Sequence, residues 1–415
     1  MQTYTISKKD KILSTELTLN PSKSISKRNI FIRVLKDSKL NLKTITEKDA
    51  SNLIDQSIRK GKVALDIGNP AKAIRFLGAF FSYFNGEWII TGSDEMKKRP
   101  VGDVIELLQR DGHNIKYLER DGFPALKIIG KGFKGKITRI DATICSQFLS
   151  ANLLISQTLP TEDMVALKNW ISNSPFISQT IRLLNYLGVN IDWIKEEILV
   201  EHELHDGKEM SVEADWTAAS YWYQMAALAS NANIILNGLN FDSVQSDAII
   251  KDIFEPLGVK TIQTNNGVEL KTVKRKINFF EYNFSNNPDL VPSIVTTCVA
   301  LKIPFKFAGI QLLRNKDSDR VMVLQSQMAK LGAKLKVEKK GNQEYFSFDG
   351  KATIPSKGSM AFNSFGDHRI VMSLAPLAIL GVNVSIDEPR VVSKSYPSFW
   401  DDFKKAGLII EQAIP

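Results

Sequence analysis

Five segments of the chain share one arrangement of apolar and polar positions. Each is a helical run with apolar residues three and four apart, then a glycine, then a short strand rich in β-branched residues. They read VIELLQRDGHNIKYL, TIRLLNYLGVNIDWI, IIKDIFEPLGVKTIQ, VLQSQMAKLGAKLKV and FWDDFKKAGLII. Their glycines are Gly112, Gly188, Gly258, Gly332 and Gly407, at successive gaps of 76, 70, 74 and 75 residues. Each glycine stands where a left-handed C-cap would end the helix and turn the chain into the strand. Spacing this regular predicts a repeated α/β module of roughly 70 residues, about six copies in all and three to a domain.

Further strands are expected at ALKIIG, EWIITG, ILVE and NIILNG, between the helices. The run VEADWTAASYWYQMAALAS, residues 212–230, predicts a strand ending in a turn and then a long helix. Asp215 or Thr217 would cap it. In IGNPAKAIRFLG, Asn69 suits a helix N-cap and Pro70 the first helical position. Lys72 then falls in a first turn, where the helix dipole disfavours a cation unless an anion binds nearby.

A chain of 415 residues is too long for one hydrophobic core, so at least two domains are expected. The apolar runs, FLGAFFSYF among them, are far below the roughly 20 residues that span a bilayer. The N-terminus MQTYTISKKDK lacks the apolar core of a signal peptide, so a cytoplasmic protein with no membrane partner is expected. Two cysteines, Cys145 and Cys298, make no disulfide framework and fit a reducing compartment. Three of the four histidines, His113, His202 and His205, sit among charged residues and are expected on the solvated surface. HELH has the wrong spacing for a helical zinc site, and no CxxC is present, so no metal is expected. The excess of 54 basic over 45 acidic residues gives +9 and favours anionic partners. Nucleic acid is the poorer choice, because no interleaved aromatics and no RNA- or DNA-reading signature accompany the charge.

Cations gather beside small polar residues at several helix starts, where fixed N–H donors favour phosphate or carboxylate ligands. NPSKSISKR sets Lys23 in a turn with Ser24, and Arg28 one turn into the helix. KKRPVGD puts Arg99 before a helix-starting proline, and CSQFLSANLL puts Ser146 and Gln147 at another start. RNKDSDRVMVL packs Lys316, Asp317, Asp319 and Arg320 before a helix. SFGDHRIVMSLAPLAIL puts Asp367, His368 and Arg369 at the start of an almost wholly apolar helix, which must be buried. That trio serves equally as a structural salt bridge or as a site. Lys394 follows in VVSKSYPSFW.

Taken in order, these motifs resemble the enolpyruvyl transferase family, in the branch that acts on shikimate 3-phosphate. SKSISKR is similar to K-S-x-S-x-R, GNPAKAIR to G-N-A-G-T-A-x-R, RPVGD to the R-P helix start and CSQF to S-S-Q-F. NPDLVPSI is similar to P-D-x-x-P, KDSDR to K-E-[ST]-D-R, GDHRIVM to G-D-H-R-x-x-M and KSYPSFWDDF to K-[ST]-[YF]-P-x-F. The resemblance implies an α/β, two-domain enolpyruvyl transferase fold, each domain three βαβαββ repeats in an inside-out barrel. It implies residues 1–20 and 213–415 as one domain, carrying Asp289, Asp317, Arg320, Arg369 and Lys394. Residues 21–212 form the other, carrying Lys23, Arg28, Arg99, Ser146 and Gln147.

The resemblance also implies a reaction. The 5-hydroxyl of shikimate 3-phosphate adds to C2 of phosphoenolpyruvate while C3 is protonated, and phosphate then leaves. Both small-molecule substrates are polyanions, and no cofactor is needed; a monomer is implied. Catalytic roles fall on Lys23, Asp289 and Asp317. Phosphoenolpyruvate would meet Lys23, Asn69, Ala71, Lys72, Arg99, Gln147, Arg320, His368, Arg369 and Lys394. Shikimate 3-phosphate would meet Lys23, Ser24, Arg28, Cys145, Ser146, Gln147, Asn173, Asp289 and Lys316.

The sequence departs from the family pattern at several of these positions. Asp317 stands for glutamate, Cys145 for the first serine of S-S-Q, and Asn173 and Phe176 for the serine and tyrosine of S-[RK]-P-Y. Ala71 replaces a glycine beside the phosphoenolpyruvate phosphate, so glyphosate, its mimic, is expected to inhibit weakly. Lys72 either joins that anion site or points to water. The departures favour the phosphoenolpyruvate side over the acceptor side and keep a second reading open: a relative on this fold with another acceptor or no activity. The UDP-sugar branch is disfavoured by Ser24, where that branch carries asparagine.

Overall fold

The structure is a computed structural model. It describes residues 2–26, 28 and 212–413 except 315, 342 and 356. Between these stretches it describes 62–66, 71–82, 86–98, 100–110, 112–130, 138–141, 150, 153–154, 165–168, 175–186, 189, 191–194 and 197–200. The chain divides into two compact units, Met1–Lys23 with Val212–Pro415, and Ser24–Ser211. The division places Lys23 in the first unit, whereas the sequence boundary placed it in the second.

The first unit holds three four-stranded sheets of one topology. In chain order a repeat runs strand, helix, strand, helix, strand, strand. The first two strands pair in parallel, and the last two complete the sheet antiparallel. Strands Ile12–Thr18, Asn231–Asn237, Gly267–Thr272 and Val259–Gln263 lie side by side in that order. Phe280–Asn283, Phe305–Ala308, Gln343–Phe348 and Lys336–Lys340 repeat it. In the third sheet the order is Ser359–Phe362, Asn383–Asp387, Thr3–Ser7 and Ile409–Ala413. The chain's first strand therefore supplies the last strand of the third repeat, tying the N-terminus to the C-terminal half.

The first helix of each repeat is the buried one. Trp216–Leu228, Val291–Ala300 and His368–Leu374 are apolar nearly all round and contact one another. A helix without a polar face has to be enclosed, so these three form the centre and the sheets cover them. Some polar side chains inside find partners between the helices: Gln224 Nε2 donates to the Ser373 carbonyl at 2.8 Å, and Trp222 Nε1 to the Tyr396 hydroxyl at 3.1 Å. Among the described residues no helix is long and apolar enough to cross a membrane.

In the second unit, Lys62–Asp66, Gly86–Thr91, Leu126–Gly130 and Asn114–Tyr117 form a fourth sheet of the same topology. Its core includes Phe80, Trp88, Ile105 and Leu126, with the rings of Phe81 and Trp88 stacked at 5.1 Å. The parallel pair Thr138–Asp141 and Val165–Lys168, the helix Pro175–Tyr186 and the antiparallel pair Ile191–Ile194 and Glu197–Val200 follow the same sequence of elements.

The predicted glycine caps are present. Gly112, Gly258, Gly332 and Gly407 have φ of 85, 98, 66 and 81°. The amides after three of them, His113, Ala333 and Leu408, reach back to the carbonyls of Leu108, Met328 and Phe403, which is a Schellman closure. Val189 closes on Leu184 in the same way, although Gly188 lies outside the described residues. His113 departs from expectation: it is half-buried behind the helix Gly102–Arg110, and burial lowers its pKa. His202 and His205 lie outside the described residues.

Candidate active site

The repeat brings several helix N-termini of the first unit together. Asp215 caps Trp216–Leu228, its side chain accepting from the Thr217 and Ala218 amides, which resolves the capping alternative. Asp367 caps His368–Leu374 through the Arg369 amide, and Asp319 caps Arg320–Ala329. Asp289 lies in the turn Pro288–Leu290 that leads into Val291–Ala300. N-terminal helix ends carry partial positive charge, so the region is electropositive before any side chain is counted.

Arg320 is the organising cation. It is 2% exposed, its Nε and Nη2 donate to Asp367 at 2.8 and 3.2 Å, and its Nη1 donates to Asp289 at 2.9 Å. Asp367 is fully buried and also accepts from the Ser318 hydroxyl at 2.9 Å and the Arg369 amide at 3.0 Å. Burial works against its charge, but Arg320 outweighs this and holds the carboxyl below the ordinary range. Burial likewise opposes the Arg320 charge, and Asp289 and Asp367 together raise its pKa.

Asp289 is shared among three cations. Besides Arg320 it accepts from Arg369 Nη2 at 3.1 Å and pairs with Lys316 Nζ at 3.3 Å. Arg369 is further faced by Tyr221, Asp215 and Asp247, which with Asp289 overcome its burial and raise its pKa. Tyr221 is 1% exposed; burial pushes its hydroxyl up to about 12, with Arg369 pulling the other way.

A second group stands beside this one. His368 Nδ1 lies 3.0 Å from Asp317, and Lys394 Nζ lies 3.6 Å from the same carboxylate. The His368 bond, helped by Lys394, holds Asp317 well below the usual carboxylate range. An ionised carboxylate can only accept, which assigns the proton to His368 Nδ1. Burial lowers the His368 pKa despite Asp317, so the ring is neutral near pH 7 with a lone pair on Nε2. Lys394 Nζ donates to the Gly366 carbonyl at 3.0 Å, and Lys23 Nζ to the Lys394 carbonyl at 2.8 Å. Lys23 is the first residue of a helical stretch, 23–26, and not part of the preceding turn as expected.

Asp317, Asp367 and His368 bring one ligand atom each within 4.8 Å of one another. The Asp367 oxygens accept from Arg320, Ser318 and the Arg369 amide, Asp317 accepts from His368, and Arg320 and Arg369 repel a further cation.

In the second unit Arg28 is 6% exposed and bonded through all three nitrogens. Nε donates to the Thr180 hydroxyl at 2.8 Å, Nη1 to the Ser24 carbonyl at 2.9 Å and Nη2 to the Ser150 hydroxyl at 3.4 Å. Burial pushes its guanidinium down to about 10, so it stays charged at neutral pH. Gln179 Nε2 donates to the Ser24 hydroxyl at 3.0 Å. Of the remaining sequence candidates, Asn69, Arg99, Cys145, Ser146, Gln147 and Asn173 lie outside the described residues. Ala71 and Lys72 open the helix Ala71–Ser82 and Phe176 lies in Pro175–Tyr186, but their side chains are outside what is described.

Lys316, Asp317, Arg320, His368, Arg369, Asp289, Lys394 and Lys23 thus come together within the first unit, from sequence positions 23 to 394. Sequence reasoning missed Tyr221, in an apolar helix, Asp247, in an unremarkable turn, and Asn287, although it opens the motif NPDLVPSI. Only the Asp215 cap gave any sign that this end of the helix mattered.

This fold and site define a class: an α/β repeat protein that gathers arginines, a lysine and carboxylates at the N-terminal ends of its helices. Comparison with known proteins narrows the class. The family model for EPSP synthase (3-phosphoshikimate 1-carboxyvinyltransferase) matches residues 35–403, and the chain belongs to that family of transferases. A 3-phosphoshikimate 1-carboxyvinyltransferase of Bacteroides fragilis (strain YCH46) is 35% identical over 409 residues, 98% of each chain. One from Sulfurovum sp. (strain NBC37-1) is 26% identical over 93% of this chain and 95% of that one. Among solved structures, EPSP synthase from Acinetobacter baumannii superposes over 100% of both chains with TM-score 0.74 at 18% identity. The enolpyruvyl transferase NikO from Streptomyces tendae covers 100% of this chain and 99% of its own with TM-score 0.65 at 14% identity, a likeness of fold.

Proposed function

We propose that the first-unit cluster binds phosphoenolpyruvate and performs enolpyruvyl transfer to the 5-hydroxyl of shikimate 3-phosphate. The observation that carries the reading is the sharing of Asp289 among Arg320, Arg369 and Lys316 at converging helix N-termini. Arg320 is held in place by the buried Asp367, so an incoming phosphate or carboxylate meets a guanidinium that is already fixed. When substrate anions draw Arg369 and Lys316 toward themselves, Asp289 oxygens become available to accept the hydroxyl proton.

The bond changes balance as follows. The 5-hydroxyl oxygen bonds to C2, Asp289 takes its proton, and the Lys23 ammonium gives a proton to C3. The C2–O bond to phosphate then breaks, C3 returns its proton to the Lys23 amine, the proton held by Asp289 passes to the leaving phosphate, and enol ether and phosphate leave. Lys394, beside Lys23 and Asp317, meets the carboxylate side of phosphoenolpyruvate with Arg320 and Arg369. Ionised Asp317 fixes Lys394, and the His368 ring steadies Asp317. Within the second unit, Gln179, Thr180 and Ser150 steady Ser24 and Arg28. Asp317 is one methylene shorter than glutamate, and its bond to His368 and pairing with Lys394 support its use in this position.

The test is phosphate release from phosphoenolpyruvate and shikimate 3-phosphate. Release dependent on both substrates, lowered about 100-fold or more in Asp289→Asn, is expected. No release from the wild-type protein at high enzyme concentration overturns the reading.

A further inference from the structure

We propose that Asp247 is a positioning residue for the Asp289 carboxylate, locking the turn that carries Asp289 onto the first turn of the helix Trp216–Leu228. The inference rests on the assignment of Asp289 as proton acceptor.

Asp247 lies in the 3-10 turn Ser246–Ile249, outside every sequence motif singled out above. One of its oxygens accepts from the Thr217 hydroxyl at 2.5 Å, the other from Asn287 Nδ2 at 3.1 Å. Thr217 is itself fixed, because its amide donates to Asp215 at 2.8 Å. The neighbouring Trp216 amide donates to Gln245 Oε1 at 3.1 Å, and Gln245 Nε2 donates to the Ala214 carbonyl at 2.7 Å. The anchor end is therefore rigid.

Asn287 is the other end. It is 4% exposed and heads the turn Pro288–Leu290, yet its side chain makes no capping bond to that turn. It is turned toward Asp247 instead. Its backbone, φ −138° and ψ 48°, is neither helical nor strand, and its carbonyl accepts the Leu290 amide at 3.1 Å. A rotation of Asn287 would swing the whole turn and displace Asp289 from Arg320, Arg369 and Lys316. Asp247 is what prevents that rotation. A displacement of about 1 Å at a reacting group is enough for roughly a 100-fold loss of rate.

The experiment uses steady-state kinetics on four variants of the full chain. Asp247→Ala is expected to lower kcat about 10- to 100-fold, with KM for phosphoenolpyruvate changed less than about threefold. Asp247→Asn, whose oxygen can keep Asn287 while its amide donates to the Thr217 oxygen, is expected to restore kcat to within about threefold. Adding Asp247→Ala to Asp289→Asn is expected to lower the residual rate no further, because there is no carboxylate left to position. Multiplicative loss in that double variant, or wild-type kcat in folded Asp247→Ala, overturns the proposal. If Asp247→Ala does not fold, Asn287→Ala removes the same bond from the other side and is read by the same criteria. Should Asp289→Asn alone keep the wild-type rate, the assignment of Asp289 fails and the inference with it. A slow Asp289→Asn beside a fast Asp247→Ala refutes the positioning role alone.

Discussion

Replacing Asp367 with alanine removes the centre of the first-unit charge network. Its buried carboxylate accepts four hydrogen bonds, two from Arg320 and one each from Ser318 and the Arg369 amide. Loss of a helix N-cap costs about 1 kcal/mol. Leaving a buried ion without its partner costs about 3–5 kcal/mol. Arg320 keeps Asp289 as a counter-charge, which puts the second figure at its lower end. The expected destabilisation is about 4 kcal/mol, a large share of the 5–15 kcal/mol typical of a folded domain. Urea unfolding followed through the buried Trp216 and Trp222 should show the midpoint falling by more than about 1 M with an unchanged slope. Asp367→Asn keeps an acceptor for the Arg369 amide and should fall between the two. The effect has a pH signature. The Asp367 pKa is lowered from 3.8, so its contribution is complete above that value and disappears as pH falls through the folded value. The gap between wild type and variant should close in acid. A midpoint within about 0.3 M of wild type at pH 7 refutes the reasoning, since it would mean that Arg320 needs no buried counter-charge.

Other expectations follow from single contacts. The His368 ring should titrate below 6.5 by NMR, because burial outweighs Asp317; a midpoint at or above 6.5 contradicts the neutral assignment. Asp247 has a carboxyl raised from 3.8 to about 6 by burial and by Asp289, against the pull of the Thr217 and Asn287 bonds and of Arg369; Tyr282 also senses its charge. The folded state then holds the extra proton, so stability should fall as pH rises from 3.8 to about 6, and Asp247→Asn should flatten that slope. Gly309→Ala should cost more than about 2 kcal/mol, because φ is 78° and the new methyl would strike Ser285 and Asn283; a change under 0.5 kcal/mol argues against that turn. Glyphosate should inhibit weakly if Ala71 and Lys72 shape the phosphate side, and tight inhibition competitive with phosphoenolpyruvate excludes it.

Local signals carried the repeat. Gly112, Gly258, Gly332 and Gly407 were legible because a left-handed cap is a backbone requirement that glycine meets without strain. Asp215 was legible as a cap, with Thr217 as the alternative, for a similar reason: a short acceptor before an apolar run satisfies amides that no other group can reach. The partners of the candidate cations were not legible. In GDHR the adjacent Asp367 and Arg369 suggest one ion pair, yet the Asp367 carboxylate takes the guanidinium of Arg320, 47 residues away, and Arg369 reaches Asp289, 80 residues away. Asp247 gave no signal, and Asn287 only the motif NPDLVPSI that it opens, since their roles exist only where two turns meet.

The sequence alone determined the module, its caps and the set of charged motifs, since each depends on forces acting within a few residues. Tertiary structure decided that three buried helices present their N-termini together, that the first strand completes the last sheet, and which carboxylate neutralises which arginine. Those outcomes depend on Coulomb and packing energies between segments from tens to hundreds of residues apart, and a short window of sequence contains no record of that proximity.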